Sequence, residues 1–197
     1  MEKRRLIDCI EILIDNRGKT PKHQEDGTYK ILSANNVKSS GLIRLDEVAY
    51  ANDIMYDTLM ANELVKNDII ITSEAPAGEV LLWDSDEKIV LGQRLYGLKI
   101  DKSIVNPIYL AYYLKSYIGK NEIIKNCTGS TVLGISKKTF DNIWVYIPDK
   151  KTQEKIGNIL LSIDRQIMRN NEMVQKLQSF NYTKSCFSWK GEMRYAC

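Results

Sequence analysis

The longest regular pattern of apolar and polar positions lies in the C-terminal part of the chain. Between Thr152 and Lys184 no proline interrupts the sequence, and apolar residues recur at alternating steps of three and four. This spacing predicts one continuous helix with an a/d seam, as in a coiled coil. The seam residues are Ile156, Leu160, Ile163, Ile167, Asn170, Val174 and Leu177.

The predicted helix has a start signal and an apolar stripe that must be covered. Thr152 is the predicted N-cap, and Glu154 places a negative charge in the first turn, where the helix dipole favours it. At about 1.5 Å per residue the helix is roughly 50 Å long, and its stripe needs either the rest of the chain or a second long helix as a partner. Asn170 favours a second helix, because a polar seam residue can fix the register of a pairing.

The pattern before this helix is an irregular mixture of short helices and short strands. Leu6, Ile10, Leu13 and Ile14 repeat with helical spacing, so residues 4–14 are predicted to form a short amphipathic helix. Further helices are predicted at 52–62 and 106–126, a helical turn at 136–139, and strands at 29–34, 42–45, 69–72, 79–83, 89–91, 95–100 and 143–147.

This order lacks a regular βαβ alternation and predicts an α+β fold. We expect one mixed, sheet-rich domain at residues 1–150, a long coiled-coil helix at 151–185 and a C-terminal tail at 186–197. A glycine, Gly92, interrupts the predicted strand pattern near residue 90, which indicates a bulge or a close approach of two backbones.

Composition restricts the class of protein only moderately. The 197 residues are 44% apolar and 27% charged, with a net charge of +3, which permits a nucleic-acid partner without requiring one. The four cysteines are scattered and His23 is the only histidine, so we expect reduced thiols, no zinc site and a cytoplasmic location. Asp8 and Glu11 interrupt the first apolar run, which disfavours a secretory signal.

The sequence lacks the usual motifs of catalysis. There is no phosphate-binding glycine loop, no nucleophile elbow and no carboxylate pair spaced for two metal ions. Asn106-Pro107-Ile108-Tyr109 superficially resembles the Asn-Pro-Pro-Tyr signature of adenine-N6 DNA methyltransferases. Ile108 replaces the second proline, and no glycine-rich cofactor loop accompanies the motif. We interpret the following aromatic stripe as core rather than as a base-stacking platform: Tyr109, Leu110, Tyr113, Leu114 and Tyr117.

Four motifs occur in a distinctive order along the chain. They are RGKTP at 17–21, NDIIITSEAPAGEV at 67–80, GQRLYGLKI at 92–100 and TGSTVLGISKKTFDNIWVYIPDKKTQEKIGNIL at 128–160. Their order, leading into the long helix, resembles one half of the specificity (S) subunit of type I restriction-modification systems. The resemblance covers roughly residues 5–180.

The resemblance implies a non-catalytic role in DNA recognition. Members of this family carry two target recognition domains, each of which reads half of a split DNA sequence, and long helices that pair antiparallel. Modification subunits, which use S-adenosylmethionine to methylate adenine, and a restriction subunit join the S subunit. This sequence holds one recognition domain and one helix, so it is either a half-subunit or a fragment. The half-subunit interpretation predicts a homodimer through the C-terminal helix and a palindromic split site.

The resemblance also assigns the polar loops to double-stranded DNA, with no metal and no cofactor on this chain. The candidate contacts are Arg17, Lys19, Thr20, Asn35, Asn36, Ser73, Glu74, Gln93, Arg94, Thr128, Gly129, Ser130, Thr131, Lys137 and Lys138. We expect Gln93 and Arg94, followed by Asn36, to read base edges, and the lysines to contact phosphates. By composition alone these loops are equally consistent with solvated connections. Two other functions stay open: a methyltransferase or nuclease fragment, and a coiled-coil scaffold without DNA specificity.

Overall fold

The computed structural model describes residues 1–37, 48–74, 76–129 and 133–192, with side chains up to residue 178. The strand predicted at 42–45 lies outside the described residues. The elements are β1 (Glu2–Arg5), β2 (Ile10–Asp15), β3 (Tyr29–Leu32), β4 (Ala49–Ala51), α1 (Asp53–Leu59), β5 (Ile69–Thr72), β6 (Val80–Leu82), β7 (Ile89–Leu91), β8 (Leu95–Ile100), α2 (Pro107–Lys115), α3 (Tyr117–Lys125), α4 (Lys137–Asn142), β9 (Trp144–Ile147) and α5 (Lys150–Glu192). Short 3-10 helices occupy Leu6–Cys9 and Ala34–Asn36.

The described strands form three sheets. The largest has the order β2-β8-β5-β6 and is antiparallel throughout. The second has the order β4-β3-β7, with β3 and β7 parallel, and the third pairs β1 with β9. This mixture of sheets and helices confirms the predicted α+β class. No helix among the described residues has both the length and the apolar character needed to cross a membrane.

The main core joins residues of the four-stranded sheet, the three-stranded sheet and α1. Ile70 of β5 and Leu91 of β7 are completely buried in it. Tyr56 of α1 stacks on Tyr29 of β3, with 4.2 Å between their ring centroids. The short apolar runs at 69–72 and 89–91 were predicted as strands because nearly every residue is apolar, and both predictions are confirmed.

The chain crosses from one sheet to another at Gly92, between β7 and β8. The Gly92 amide donates a hydrogen bond to the Leu32 carbonyl at 2.8 Å. A side chain at this position would place its Cβ 2.8 Å from the same oxygen, so only glycine fits without a shift of backbone. The predicted close backbone approach is therefore confirmed, and it presents the next two residues at the junction of the sheets.

The helix predicted at residues 4–14 is wrong. Residues 2–5 pair with β9, and Ile10–Asp15 pairs with β8, with a 3-10 turn between the two strands. The alternation of Ile10, Ile12 and Ile14 suits a strand, because β-branched side chains pack well on a pleated surface. Pairing with segments far along the chain overrides the local helical spacing.

The helical region predicted at 106–126 is two helices separated by Ser116. Ser116 has a ψ of 161°, which ends α2, and its hydroxyl accepts a hydrogen bond from Gly119 to cap α3. Leu110 and Leu114 are fully buried, which confirms the core interpretation for that part of the stripe. Tyr117 is 83% exposed, so its assignment to the core is wrong, because the break at Ser116 turns it away from the buried face of α2.

The long helix begins at Lys150, ahead of its predicted cap Thr152. Asp149, not Thr152, acts as the cap: its carboxylate accepts hydrogen bonds from the Thr152 amide at 3.0 Å and from the Thr152 hydroxyl at 2.7 Å. The helix continues to Glu192, which places residues 186–192 in α5 rather than in the predicted tail. No proline stands between Lys184 and Glu192 to end it earlier. The chain divides into two compact units, Met1–Asn158 and Ile159–Cys197.

Candidate nucleic-acid interface

A shallow cleft of about 220 Å³ opens where the two larger sheets meet. Four of the predicted DNA-contacting residues line it: Thr20, Asn35, Gln93 and Arg94. They come from three separate segments, namely the loop after β2, the turn after β3 and the β7–β8 connection. The cleft is smaller than the roughly 300–1,000 Å³ typical of sites that enclose a small molecule. Its size and its polar rim suit contact with the edge of a larger partner.

A hydrogen bond holds Gln93 at the cleft. The Thr20 hydroxyl donates to the Gln93 side-chain oxygen at 3.0 Å, which links the loop after β2 to the β7–β8 connection. Gln93 is half-buried, and Thr20 is exposed. One end of the Gln93 amide is thus held by the protein. An amide side chain positioned in this way is suited to contact a base edge with its other end.

Arg94 lies where three loops are tied together by backbone hydrogen bonds. Its carbonyl accepts from the Ser73 amide at 2.9 Å, and the Ser73 carbonyl accepts from the Ile135 amide at 2.8 Å. The Arg94 guanidinium is 3.8 Å from the Glu74 carboxylate. The loop containing Thr128 joins the same group through a pair of hydrogen bonds with Gly134.

A second group of charges lies at the end of β2, and sequence reasoning missed its centre, Asp15. The Asp15 carboxylate accepts three hydrogen bonds from Arg17, each at 3.0 Å, and lies 3.4 Å from the Lys137 ammonium. Arg17 in turn lies over the ring of Tyr96, 4.7 Å from its centroid. Asp15 is the last residue of β2, and Arg17 lies in the turn that follows it, where its amide and its guanidinium both reach the Asp15 carboxylate.

The pKa values of this second group follow from its contacts. Burial acts to raise the pKa of Asp15, but hydrogen bonds from Arg17 and Lys137 outweigh burial and hold it below its ordinary value. The hydrogen bond to Asp15 raises the pKa of Arg17. Burial raises the pKa of Tyr96 to about 12, so its hydroxyl remains protonated and donates to the Ile135 carbonyl at 3.2 Å. At neutral pH, Asp15 and Arg17 therefore form an ion pair beside a neutral Tyr96.

Two predicted DNA contacts are buried and serve the fold instead. Asn36 is 8% exposed, and its side-chain oxygen accepts from the Ser33 amide at 2.8 Å and the Ser33 hydroxyl at 2.6 Å. Ser73 is 1% exposed. The assignment of Asn36 and Ser73 to DNA is corrected accordingly: one closes a 3-10 turn and the other ties the Arg94 and Ile135 segments together.

The remaining predicted contacts are exposed or lie outside the described residues. Lys19 and Lys138 are exposed, and in the described part of the chain no carboxylate lies within 4.0 Å of either ammonium. Thr128 and Gly129 are also exposed, and Gly129 has a φ of 115°. Ser130 and Thr131 lie outside the described residues. Exposed lysines without a carboxylate partner suit contacts with phosphates.

The methyltransferase-like motif is used in folding. The Asn106 side-chain oxygen accepts from the amides of Ile108 at 2.9 Å and Tyr109 at 3.2 Å, which caps α2. Tyr109 is buried, and its hydroxyl donates to the Tyr146 carbonyl at 2.7 Å. Among the described residues no group of three or more His, Cys, Asp or Glu is arranged to hold a metal ion.

The seam of α5 keeps its apolar side chains exposed. Ile163, Ile167, Val174 and Leu177 are 48%, 49%, 50% and 57% exposed, whereas Leu160 is partly buried. Asn170 is exposed as well. A stripe of this length on a solvated helix is typical of a surface that contacts another chain.

Comparisons with known proteins point to one family. The family model described as "Type I restriction modification DNA specificity domain" matches residues 1–179. Two proteins of Methanocaldococcus jannaschii are similar to this chain. The type I restriction enzyme MjaX specificity subunit is 30% identical over 130 residues, which are 64% of this chain and 30% of that protein. The MjaVIII specificity subunit is 28% identical over 134 residues, with the same coverage of 64% and 30%.

Solved structures share the fold. The S subunit of a type I restriction-modification system from M. genitalium has a TM-score of 0.57 and 18% identity, covering 85% of this chain and 40% of that one. The HsdS subunit of Thermoanaerobacter tengcongensis has a TM-score of 0.56 and 17% identity, covering 85% and 38%. The chain thus spans 30% of the curated relatives and about two fifths of these structures.

Proposed function

Because the chain belongs to the family of type I restriction-modification DNA specificity domains, we propose that it recognises one part of a DNA target sequence and performs no catalysis. The observation that carries this proposal is the cleft in which Thr20, Asn35, Gln93 and Arg94 converge from three segments. Amide and guanidinium groups are the side chains best suited to distinguish bases in the major groove, where each base pair shows a different pattern of donors and acceptors.

The candidate DNA-contacting residues divide into two proposed roles. Gln93 and Arg94 contact base edges, Arg94 through its guanidinium fork and Gln93 through the end of its amide that Thr20 does not hold, and both follow the junction at Gly92. Lys19 and Lys138 contact phosphates, because flexible point charges position a protein on DNA without reading its sequence. Thr128 and Gly129 are further proposed contacts to the DNA backbone, and Asn35, which also lines the cleft, supports base reading.

We also propose that α5 pairs with α5 of a second copy. The exposed side chains of Ile163, Ile167, Val174 and Leu177 support this pairing, since they follow one seam at coiled-coil spacing. A two-fold dimer presents two identical recognition domains, and its target is then a palindrome split by a spacer. Partner subunits for modification and restriction are proposed by analogy with the family. One matching structure, with a TM-score of 0.60 and 17% identity, concerns complex assembly of a type I system.

The test of recognition is selection of bound duplexes from a random pool by the full chain together with its modification subunit. The proposal expects a short enriched motif for the wild type. Arg94→Ala should lose preference at one position of that motif by about 1–3 kcal/mol. Arg4→Ala is the matched control, since Arg4 is an arginine of β1 paired with Glu2, outside the cleft. A scaffold without DNA specificity predicts no enriched motif.

A further inference from the structure

Three of the cations at the proposed interface are held by carboxylates of the same protein. Asp15 binds Arg17 at 3.0 Å and attracts Lys137 at 3.4 Å, and Glu74 lies 3.8 Å from Arg94. Three cations therefore face two carboxylates, and the cluster retains a single net positive charge. DNA phosphates that approach this part of the interface are repelled by the carboxylates as well as attracted by the cations.

The two carboxylates are placed differently. Only 10% of the Asp15 side chain is exposed, and it is fixed by hydrogen bonds from the amide and the guanidinium of Arg17. The Glu74 side chain is 46% exposed and makes a longer contact. Screening by solvent and salt weakens an exposed pair far more than a buried one. Arg17 is thus held firmly, whereas Arg94 is held loosely.

We propose that Asp15 and Glu74 are specificity-determining residues that restrain Arg17, Lys137 and Arg94 from binding DNA phosphates of any sequence, an inference that rests on the proposed function. Phosphate attraction is independent of sequence and supplies most non-specific affinity. A cation paired within the protein gains little by exchanging its carboxylate for a phosphate. A bidentate base contact exceeds the strength of an exposed ion pair, so a matching target releases Arg94 where a random one does not.

The surrounding packing fits such a restraint. Arg17 lies over the buried Tyr96 ring, which also contacts Phe140 edge-on at 5.2 Å, so the cation is fixed on two sides. Lys138 follows Lys137 directly but has no carboxylate within 4.0 Å among the described residues. The interface thus combines restrained cations with a smaller number of free lysines, and only the free lysines attract DNA without regard to sequence.

The experiment measures binding of the full chain, assembled with its modification subunit, to a random-sequence duplex across a salt series, by fluorescence anisotropy. Asp15→Asn removes the charge but keeps a hydrogen-bond acceptor for Arg17. Its affinity should rise about tenfold for each freed cation at 0.1 M salt, and the slope of log K against log salt should steepen by about 0.9 per cation. Glu74→Gln frees only Arg94. Because the Glu74 side chain is 46% exposed and its contact with Arg94 is long, the increases in affinity and in salt slope should be smaller than for Asp15→Asn.

The matched control is Glu11→Gln, which removes the same charge from an exposed position of β2. At about 3.3 Å per residue, Glu11 lies roughly 13 Å along the strand from Asp15. An increase in slope for Asp15→Asn and Glu74→Gln, but not for Glu11→Gln, supports the inference.

Other outcomes separate the two proposals. If the wild type selects a sequence but both cluster variants leave the random-duplex slope unchanged, the restraint is refuted and recognition stands. If neither the wild type nor any variant binds DNA, both are refuted. Binding by the variants alone supports the restraint, because the carboxylates then mask the interface.

Discussion

Apolar side chains form a buried core in the unit Met1–Asn158, whereas those along the helix beyond it are mostly exposed. In the first unit, Ile69, Ile70 and Ile71 of one strand are all completely buried. In the second, Ile163 and Ile167 remain about half exposed. Burying an isoleucine is worth about 1.5–3 kcal/mol, so the first unit has already gained this stabilisation and the helix has not. The comparison shows that the first unit buries its own apolar core, and it supports the proposal that α5 gains its stabilisation from a partner.

The largest expected effect breaks the proposed pairing of α5. Leu160→Glu with Ile167→Glu places four carboxylates in a two-chain seam, which should cost about 4 kcal/mol or more, at about 1 kcal/mol or more for each buried charge. The dimer should then dissociate at all accessible concentrations, as measured by sedimentation or light scattering. Ser162→Glu with Met168→Glu adds the same charges outside the seam and should leave the mass unchanged. A strict monomer for the wild type at high concentration would contradict the pairing and the palindromic target.

The next effect contrasts isoleucines of the two regions. Ile70→Ala should lower the free energy of unfolding by about 2–5 kcal/mol, because it leaves a cavity in a closed core. Ile163→Ala should change it by less than about 1 kcal/mol when the protein is dilute enough to be monomeric. Urea unfolding followed by circular dichroism gives both values. Equal losses of the free energy of unfolding for the two variants would show that α5 packs on its own domain.

A smaller effect concerns acid stability of the recognition domain. The pKa of Asp15 is lowered in the folded state, so its contribution to stability is present above its unfolded pKa of about 3.9 and is lost as pH falls through the folded value. Wild-type protein should therefore lose stability below about pH 4, and Asp15→Asn should lose less of it over the same interval. Urea midpoints at pH 7 and in the acid range test this, with Glu25→Gln as control. A steeper fall in stability with decreasing pH for Asp15→Asn than for the wild type would contradict this prediction.

The smallest effect concerns a single phosphate contact. Lys138→Ala should reduce the salt slope of DNA binding by about 0.9 and leave the selected sequence unchanged. Lys102→Ala, an exposed lysine that follows β8 away from the cleft, should change neither quantity. A shifted recognition sequence for Lys138→Ala would mean that this lysine contacts bases.

The sequence revealed those parts of the fold that depend on local pattern. The seam of α5, the fully apolar strand β5 and the close approach at Gly92 are visible in residue types and spacing alone. Residues 4–14 were misassigned because Leu6, Ile10 and Ile14 also satisfy a helical period. Only the pairing of β2 with β8, which lies far along the chain, decides between the two structures.

In the proposed interface, too, some features follow from local residue type and others depend on contacts between distant segments. Gln93 and Arg94 were identified from their chemistry beside a glycine, and the structure places both at the cleft. The role of Asp15 depends on Arg17, Lys137 and Tyr96, which come together only through sheet register and the position of α4. The burial of Asn36 depends equally on tertiary packing. Polar residue type therefore predicts which groups can contact DNA, and packing decides which of them are accessible.

The most direct test of the account is the sequence preference of the assembled specificity and modification subunits, measured for the wild type, Arg94→Ala and Arg4→Ala. The account predicts a short enriched motif for the wild type and Arg4→Ala, and relaxed preference at one position for Arg94→Ala. An identical motif for all three proteins would remove Arg94 from base reading. The absence of any motif for the wild type would contradict recognition through this cleft altogether.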